Sequence, residues 1–214
     1  MEELKTKISP EAFANIQKWL NDEEFAGYKD EIENMIKSQN WKDLDDAFYT
    51  RIRIGTGGIR GKIGVGPNRI NLRTIGEAAQ GLANFIEDFG QDAKDKGVIV
   101  SHEVRKYSKE FAELTCAVLG ANGIKTFLFD GIRATPEVSF AVRHLKTIAG
   151  VQLTASHNPR TDNGFKFFWT DGGQVVPPLD QKFMQLVLNV TDIKNMSFEQ
   201  AVKYGLVETI GKEV

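Results

Sequence analysis

The chain has 214 residues, 41% of them hydrophobic and 26% charged, which is typical of a globular protein with a buried core. Its 27 Lys and Arg residues are balanced by 29 Asp and Glu residues, so no bulk positive charge favours binding to nucleic acid or an anionic membrane. The single cysteine, Cys116, excludes an intrachain disulfide, and no apolar stretch has the length of a signal-peptide core or a membrane span. We therefore expect a soluble, cytoplasmic protein.

The first 47 residues are expected to be helical. Ser9 precedes Pro10 in the pattern of an N-cap followed by a first-turn proline, and apolar residues recur at helical spacing as far as Ile36. Over residues 49–54 apolar and polar side chains alternate, which predicts a short strand. The sequence thus predicts an N-terminal helical extension, residues 1–47, followed by an α/β domain, residues 48–214.

Residues 55–61 form a glycine-rich stretch, Gly-Thr-Gly-Gly-Ile-Arg-Gly. Glycine leaves backbone N–H groups uncovered and permits positive φ, so such a loop can approach an anion closely. The spacing does not match a Walker loop, because Thr56 stands at its first glycine position and Ile63 at its Ser or Thr position. It does not match a dinucleotide-binding fingerprint either, because Arg60 stands at the third glycine. A phosphate-binding loop and a flexible connection both remain open here.

Helical and strand patterns alternate between residues 71 and 153. Helices are predicted to begin after Asn71, at Ser108 and at Thr135, where capping residues precede apolar residues at helical spacing. Short apolar strands are predicted at residues 98–100, 126–129 and 148–153. This alternation predicts an α/β fold with a mixed, largely parallel sheet covered by helices.

The hexad Thr-Ala-Ser-His-Asn-Pro, residues 154–159, directly follows the last of these strands, where open α/β sheets place their chemistry. Pro159 fixes its own φ and disfavours a helical Asn158, so the loop is stiff. By composition alone, the hexad also suits a surface turn. A serine hydrolase is disfavoured because Ser156 lacks the Gly-x-Ser-x-Gly elbow. In addition, neighbours in an extended chain point to opposite sides, so we expect His157 to point away from Ser156.

The residues after the hexad predict a strand at 165–169, with Lys166 on the face opposite Phe165. A glycine turn, a helix through Phe183, a short helix capped by Ser197 and a last strand at 206–210 are predicted to follow. Phosphoryl transfer fits this composition, because it requires positioning and positive charge around one hydroxyl. The candidate cations are Arg60, His157, Arg160 and Lys166.

The hexad reproduces the active-site serine loop of the α-D-phosphohexomutases, the phosphoglucomutase and phosphomannomutase superfamily. The chain resembles this family from about Trp19 to its last residue, and residues 55–61 are similar to the family loop Gly-Thr-x-Gly-x-Arg-Gly. The resemblance implies the fold of phosphohexomutase domain I. Residues 66–71 and 172–176 bring it closest to the phosphoglucomutase and phosphopentomutase branch. Residues 101–105 replace a family pattern of Tyr or Phe, Asp, any residue and Arg, which keeps Arg105 but leaves the hydrogen bonding at the Asp position open.

The resemblance implies a reaction and a set of site residues. In the family, a phosphoserine exchanges its phosphoryl group with a sugar 1-phosphate or 6-phosphate through a bisphosphorylated sugar, and pentose 1- and 5-phosphates react likewise. Ser156 matches the phosphoserine, Lys166 matches the general acid or base, and His157 and Arg60 match residues that line the reacting groups. The phosphate-binding positions implied in this chain are Thr56, Gly57, Arg60, Asn158 and Lys166.

The family also binds Mg²⁺ through the serine phosphate, so the resemblance implies Ser156 as the metal-linked residue, with the other ligands in a second domain. It further implies glucose 1,6-bisphosphate as an activator. The family's Asp-Gly-Asp magnesium loop and Gly-Glu-x-Ser sugar loop do not occur in these 214 residues. We therefore expect domain I of a longer enzyme, with sugar phosphates and the other domains as partners and no turnover of its own. The alternative is a non-catalytic anion-binding or interaction module derived from that domain.

Overall fold

The structure is a computed structural model that describes residues 2–55 and 58–214. The helices in this part of the chain are α1 Glu2–Lys7, α2 Pro10–Asn21, a 3₁₀ helix Glu23–Tyr28, α3 Lys29–Lys37, α4 Trp41–Phe48, α5 Leu72–Glu87, α6 Gln91–Lys96, α7 Ser108–Ala121, α8 Thr135–His144, α9 Leu179–Leu188 and α10 Phe198–Lys203. The strands are β1 Ile54–Gly55, β2 Gly58–Lys62, β3 Val98–His102, β4 Thr126–Phe129, β5 Ala149–Leu153, β6 Asp162–Phe168 and β7 Val207–Ile210. None of these helices combines the length and the apolar character needed to cross a membrane.

Over the described residues, the strands form one seven-stranded sheet in the order β1-β2-β6-β5-β3-β4-β7. β5, β3, β4 and β7 run parallel, and β6, β2 and β1 extend the sheet with antiparallel pairings. The parallel strands are connected through helices, as crossover connections between parallel neighbours require. The predicted mixed α/β fold is confirmed.

Helices cover both faces of the sheet. On one face, α5, α7 and α9 pack over buried side chains that include Val100, Val151 and Phe167. On the other face, α8 covers Ile99 and Phe168 with its own Val138. The core therefore lies in two layers, and the strands of the sheet are apolar on both sides over most of their length.

The N-terminal helices have a core of their own. Trp19 stacks on Phe25 with a centroid distance of 4.4 Å, and Phe48 contacts Trp19 edge-on at 5.6 Å. Val65, from the segment after β2, completes this cluster. The Ser9 side chain caps α2 by accepting from the N–H of Ala12 at 3.3 Å, as the sequence predicts.

Two local expectations are wrong. Residues 49–53 do not form a strand, because α4 continues to Phe48 and the following bend is held by a bond from Ile52 N–H to the Pro67 carbonyl at 2.8 Å. Residues 58–61 are not a bare glycine loop, since they belong to β2 and pair with β6. Thr56 and Gly57 lie outside the described residues.

The strand order places the serine hexad at one edge of the sheet. β5 ends at Leu153, the hexad follows, and the chain returns as β6 from Asp162. The carboxyl ends of β3 and β5 meet here, because these strands are parallel neighbours. The N-terminus of α8 lies at the same edge, so three segments distant in sequence converge around Ser156.

Candidate active site

Ser156 lies in a constrained turn directly beyond β5. Its φ is +57°, a left-handed conformation that costs a residue with a Cβ about 1–2 kcal/mol. The Ser156 N–H donates to Thr154 Oγ1 at 2.9 Å, and the side chain is exposed. The turn therefore presents the hydroxyl to solvent while the backbone beneath it is fixed.

Arg105, three residues beyond the end of the neighbouring strand β3, binds the carbonyl groups of this turn. Its Nη2 donates to the Ser156 and Asn158 carbonyls, both at 2.9 Å. Its Nη1 donates to the carbonyls of Pro159 at 2.7 Å and Asp162 at 2.9 Å. A planar guanidinium has the fork geometry that such simultaneous contacts require.

Glu103 connects Arg105 to the other side of the turn. Its Oε1 accepts from Arg105 Nε at 2.7 Å and also from the hydroxyl of Thr154. The acidic position left open by the sequence departure at residues 101–105 is therefore bonded to the serine loop. Its charge compensates that of the largely buried guanidinium.

His157 is exposed beside Ser156, and its Nδ1 lies 3.5 Å from Ser156 Oγ. The expectation that these two side chains point apart is wrong. It assumed an extended chain, whereas the positive φ of Ser156 turns the two side chains to the same side. At 3.5 Å the contact is long for a hydrogen bond between a hydroxyl and an imidazole.

Lys166 lies on β6 and its residue is only 6% exposed. Burial lowers the pKa of the Lys166 ammonium, the positive charge of Arg60 lowers it further, and the carboxylate of Glu103 opposes both effects. A lysine with a lowered pKa gains access to its neutral form nearer to neutral pH, which suits proton transfer.

The sheet register places Arg60 on the same face as Lys166. Lys166 is opposite Gly58 on β2, and Arg60 lies two residues further along that strand. Side chains two residues apart on a strand share a face, so Arg60 and Lys166 are diagonal neighbours. Gly58, with a φ of +138°, permits this close pairing because a Cβ there would lie 1.9 Å from the Phe165 carbonyl oxygen.

Gln152 lies opposite Lys166 on β5 and is fully buried. Its Nε2 donates to the Arg133 carbonyl at 3.1 Å, which leaves Oε1 facing a position where no described residue donates to it. A buried acceptor of this kind is rare and suits a hydroxyl or water donor. The sheet face under the serine loop is therefore polar.

A cleft of about 340 Å³ joins these groups. It is lined by Glu103, Arg133, Ala134, Thr135, Gln152, Thr154, Ser156, His157 and Lys166. The structure thus brings together three predicted site residues, Ser156, His157 and Lys166, with Arg60 adjacent to Lys166 on the sheet.

Asn158 is placed differently. Its Nδ2 donates to Asp162 Oδ2 at 2.9 Å, and the residue lines a second cleft, together with Arg105 and Arg160. In this structure the amide stabilises the loop itself. The predicted phosphate-binding positions Thr56 and Gly57 lie outside the described residues.

Arg105, Glu103, Thr154 and Gln152 were not among the predicted site residues, although Arg105 was noted in a family pattern and Thr154 belongs to the hexad. The signal for Glu103 and Arg105 was their position one and three residues after a strand parallel to the one before the hexad. Gln152 could have been noticed as the polar residue in the otherwise apolar run of β5. A polar side chain on an otherwise apolar, buried strand indicates that another polar group faces it.

No three His, Cys, Asp or Glu side chains within residues 2–55 and 58–214 converge as a metal site. Glu103, the carboxylate of the serine cleft, is engaged by Arg105 and Thr154. A phosphate on the exposed Ser156 would present the hard oxygen ligands that Mg²⁺ prefers. Ser156 therefore fits as a point of attachment for magnesium, although not as a complete site.

Residues 51–194 match the family described as Phosphoglucomutase/phosphomannomutase, alpha/beta/alpha domain I. The chain is 35% identical over 175 residues to a phosphopentomutase of Homo sapiens, covering 79% of this chain and 29% of the relative. It is 37% identical over 165 residues to a phosphoglucomutase of Staphylococcus haemolyticus, covering 76% of this chain and 30% of the relative.

Among solved structures, a phosphomannomutase-type protein from Thermus thermophilus superposes with a TM-score of 0.64 at 31% identity. The match covers 76% of this chain and 33% of that protein. The chain thus spans about a third or less of the length of these relatives. The family match at residues 51–194 includes the serine loop and the strands β5 and β6 on either side of it.

Proposed function

The chain belongs to the phosphoglucomutase/phosphomannomutase family through its domain I, and from this premise we propose that Ser156 carries the phosphoryl group exchanged with a sugar phosphate. The observation that supports this most is the convergence of an exposed serine hydroxyl, a histidine and a buried lysine in one cleft. The left-handed turn keeps Ser156 Oγ clear of the sheet, where a phosphoryl donor can reach it.

The proposed reaction has two directions of phosphoryl transfer. In one, the bond from phosphorus to Ser156 Oγ breaks while a bond from phosphorus to a sugar hydroxyl oxygen forms, and neutral Lys166 accepts the hydroxyl proton. In the other, Ser156 Oγ attacks the sugar bisphosphate, and the Lys166 ammonium returns a proton to the departing sugar oxygen. In this proposal His157 Nδ1, 3.5 Å from Ser156 Oγ, gives a proton to the departing Ser156 Oγ in the first direction and accepts the proton of the attacking hydroxyl in the second.

Arg60 and Lys166 supply positive charge to the phosphoryl oxygens from one side of the sheet. The oxygens of a phosphate on Ser156 would hold Mg²⁺, which would neutralise charge on the transferred group, with the remaining ligands supplied by other domains of the longer enzyme. We propose glucose 1,6-bisphosphate as the activator that loads the serine, sugar phosphates as substrates and the cytoplasm as the location.

The first experiment is to incubate the purified chain with Mg²⁺ and glucose 1,6-bisphosphate and to measure its intact mass, followed by phosphopeptide mapping. We expect one added phosphate, located on Ser156, and none in Ser156→Ala. Lys166→Met should load about 10²–10⁴-fold more slowly, the usual loss on removing a general acid or base.

Phosphate on another residue, or undiminished labelling of Ser156→Ala, would contradict the proposal. Binding of the bisphosphate without transfer would instead favour the alternative function, a non-catalytic anion-binding module. The polar floor formed by Arg60, Lys166 and Gln152 is the feature that supports this second candidate.

A further inference from the structure

Arg105 uses its entire hydrogen-bonding capacity inside the protein. A guanidinium has five N–H donors. In this chain one N–H donates to Glu103 and four donate to backbone carbonyls, at distances of 2.7–2.9 Å. The side chain is 10% exposed. No donor remains for a phosphate, so Arg105 differs in kind from a cation that binds substrate.

Ser156 is held at both of its backbone polar groups. Its N–H donates to Thr154 Oγ1 and its carbonyl accepts from Arg105 Nη2, each at 2.9 Å. Thr154 and Arg105 are in turn joined through the same oxygen of Glu103. Together these bonds restrain φ and ψ of Ser156, and they offset the conformational cost of its left-handed backbone.

The arrangement also determines which way the peptide dipoles point. Peptide groups are planar and trans, so a carbonyl directed at Arg105 leaves the N–H of the same peptide directed away from it. For the peptide that joins Ser156 to His157, the negative end faces Arg105 and the positive end faces the opposite side. A phosphoryl group on Ser156 would be repelled by carbonyl oxygens, and Arg105 keeps four of them occupied.

We propose that Arg105, acting through Glu103 and Thr154, is a positioning residue that holds Ser156 in its left-handed conformation and keeps the loop carbonyls turned away from the phosphoryl group. The conformational part stands on the hydrogen bonds alone. The part concerning phosphoryl transfer rests on the proposed function of Ser156.

The conformational part is tested by NMR on the full 214-residue chain. At positive φ the amide and α hydrogens of one residue lie unusually close, so Ser156 should show a strong intraresidue NOE between them. In Arg105→Lys, which keeps the charge but loses the fork, we expect this NOE to fall to ordinary strength and the Ser156 amide to exchange at least about 10-fold faster. Amide signals of β4 and α9 should stay unchanged.

Lys106→Ala is the matched control, because it removes a cation next to Arg105 in the chain. The Lys106 Nζ lies 4.6 Å from the centroid of the Tyr107 ring. This control should retain the wild-type NOE. Retention of the wild-type NOE and exchange rate in Arg105→Lys would overturn the proposal. If Arg105→Lys unfolds the chain, the same NMR measurements on Glu103→Gln test the proposal instead. A change confined to residues 154–162 supports the proposal, and an unchanged loop overturns it.

The functional part uses the rate at which glucose 1,6-bisphosphate and Mg²⁺ load Ser156. We expect Arg105→Lys to lower the maximal loading rate about 10²-fold, the effect of a small misplacement of a reacting group, with little change in the half-saturating concentration. A raised half-saturating concentration at an unchanged maximal rate would overturn it, since Arg105 would then bind substrate. If the wild-type chain acquires no phosphate, the proposed function fails, while the NMR result still decides the role of Arg105.

Discussion

Lys166 is the residue whose surroundings most directly affect its chemistry. Its neighbours on the two adjacent strands are the buried amide of Gln152 on β5 and the positively charged Arg60 on β2. A strand position open to solvent would have left its proton affinity unchanged, whereas this position lowers the pKa. The sequence offered Lys166 as a candidate cation, and its general acid or base role came only through family resemblance. The physical basis of that role is the pairing of three adjacent strands, β2, β6 and β5.

We predict that the Lys166 side chain titrates below its ordinary pKa of 10.5, measured from its ¹³Cε and ¹⁵Nζ shifts. Arg60→Gln should raise the midpoint, because a positive charge that disfavours the ammonium is removed. Glu103→Gln should lower it, because a negative charge that favours the ammonium is removed. Arg160→Gln, which removes an exposed loop cation, serves as the control and should leave the midpoint in place. A wild-type midpoint at or above 10.5 would show that burial does not dominate.

At the scale of elements, the approach of β2 to β6 depends on glycine. Gly58 and Gly164 both lie where an added Cβ would meet a backbone oxygen, 1.9 Å away for Gly58 and 2.2 Å away for Gly164. From the sequence, the glycines of residues 55–61 indicate a candidate anion-binding loop, because glycine leaves backbone N–H groups accessible. The structure shows a second use of glycine, close packing of backbones, from residue 58 onwards.

Gly58→Ala should destabilise the chain by roughly 2–4 kcal/mol, because both its positive φ and the Phe165 carbonyl oppose a side chain. Gly55→Ala is the matched control on the preceding strand, where an added Cβ would lie 4.0 Å from the Gly58 oxygen. The control should stay within about 1 kcal/mol of wild type. Urea denaturation curves measure both, and equal losses in the two variants would refute the assignment.

Helix starts were the most predictable elements. The Asn71 and Ser197 caps form as the sequence predicts, because a side-chain cap needs only neighbouring residues. The strand expected at residues 49–54 failed because alternation alone does not supply a partner strand. The bonds of Arg105 were equally invisible, since they join residues 51–57 positions apart. Sequence patterns predict interactions between neighbouring residues, such as helix caps, but not hydrogen bonds between residues far apart in the chain.

At the scale of the whole molecule, the N-terminal helices attach to the sheet domain at the segment between β2 and α5. Arg69, whose side chain is 4% exposed, contacts Asp43 at 3.0 Å and Asp46 at 2.7 Å on α4. The Asn68 N–H donates to the Ala47 carbonyl at 3.1 Å. The division into residues 1–47 and 48–214 stays a prediction, and these contacts are where it can be tested.

We predict that Arg69→Ala lowers the free energy of unfolding by roughly 2–4 kcal/mol, because it removes a buried guanidinium that pairs with two carboxylates and donates to the main-chain carbonyls of Asp43, Asp46 and Asn68. Lys62→Ala removes the other cation on Asp43, at 2.6 Å, but from a side chain that is 52% exposed. It should cost less than about 1 kcal/mol. Thermal unfolding followed by circular dichroism and by Trp fluorescence compares the two. A larger loss in Lys62→Ala would show that burial does not set the strength of this attachment.

The serine loop is held mainly by bonds to main-chain carbonyls, which every amino acid possesses. Its shape therefore depends little on which side chains occupy the exposed positions Arg160 and Thr161. These two positions are suitable sites for randomised libraries, in which the charge and bulk on the exposed side of the loop could be altered while the fold of the loop is inherited intact.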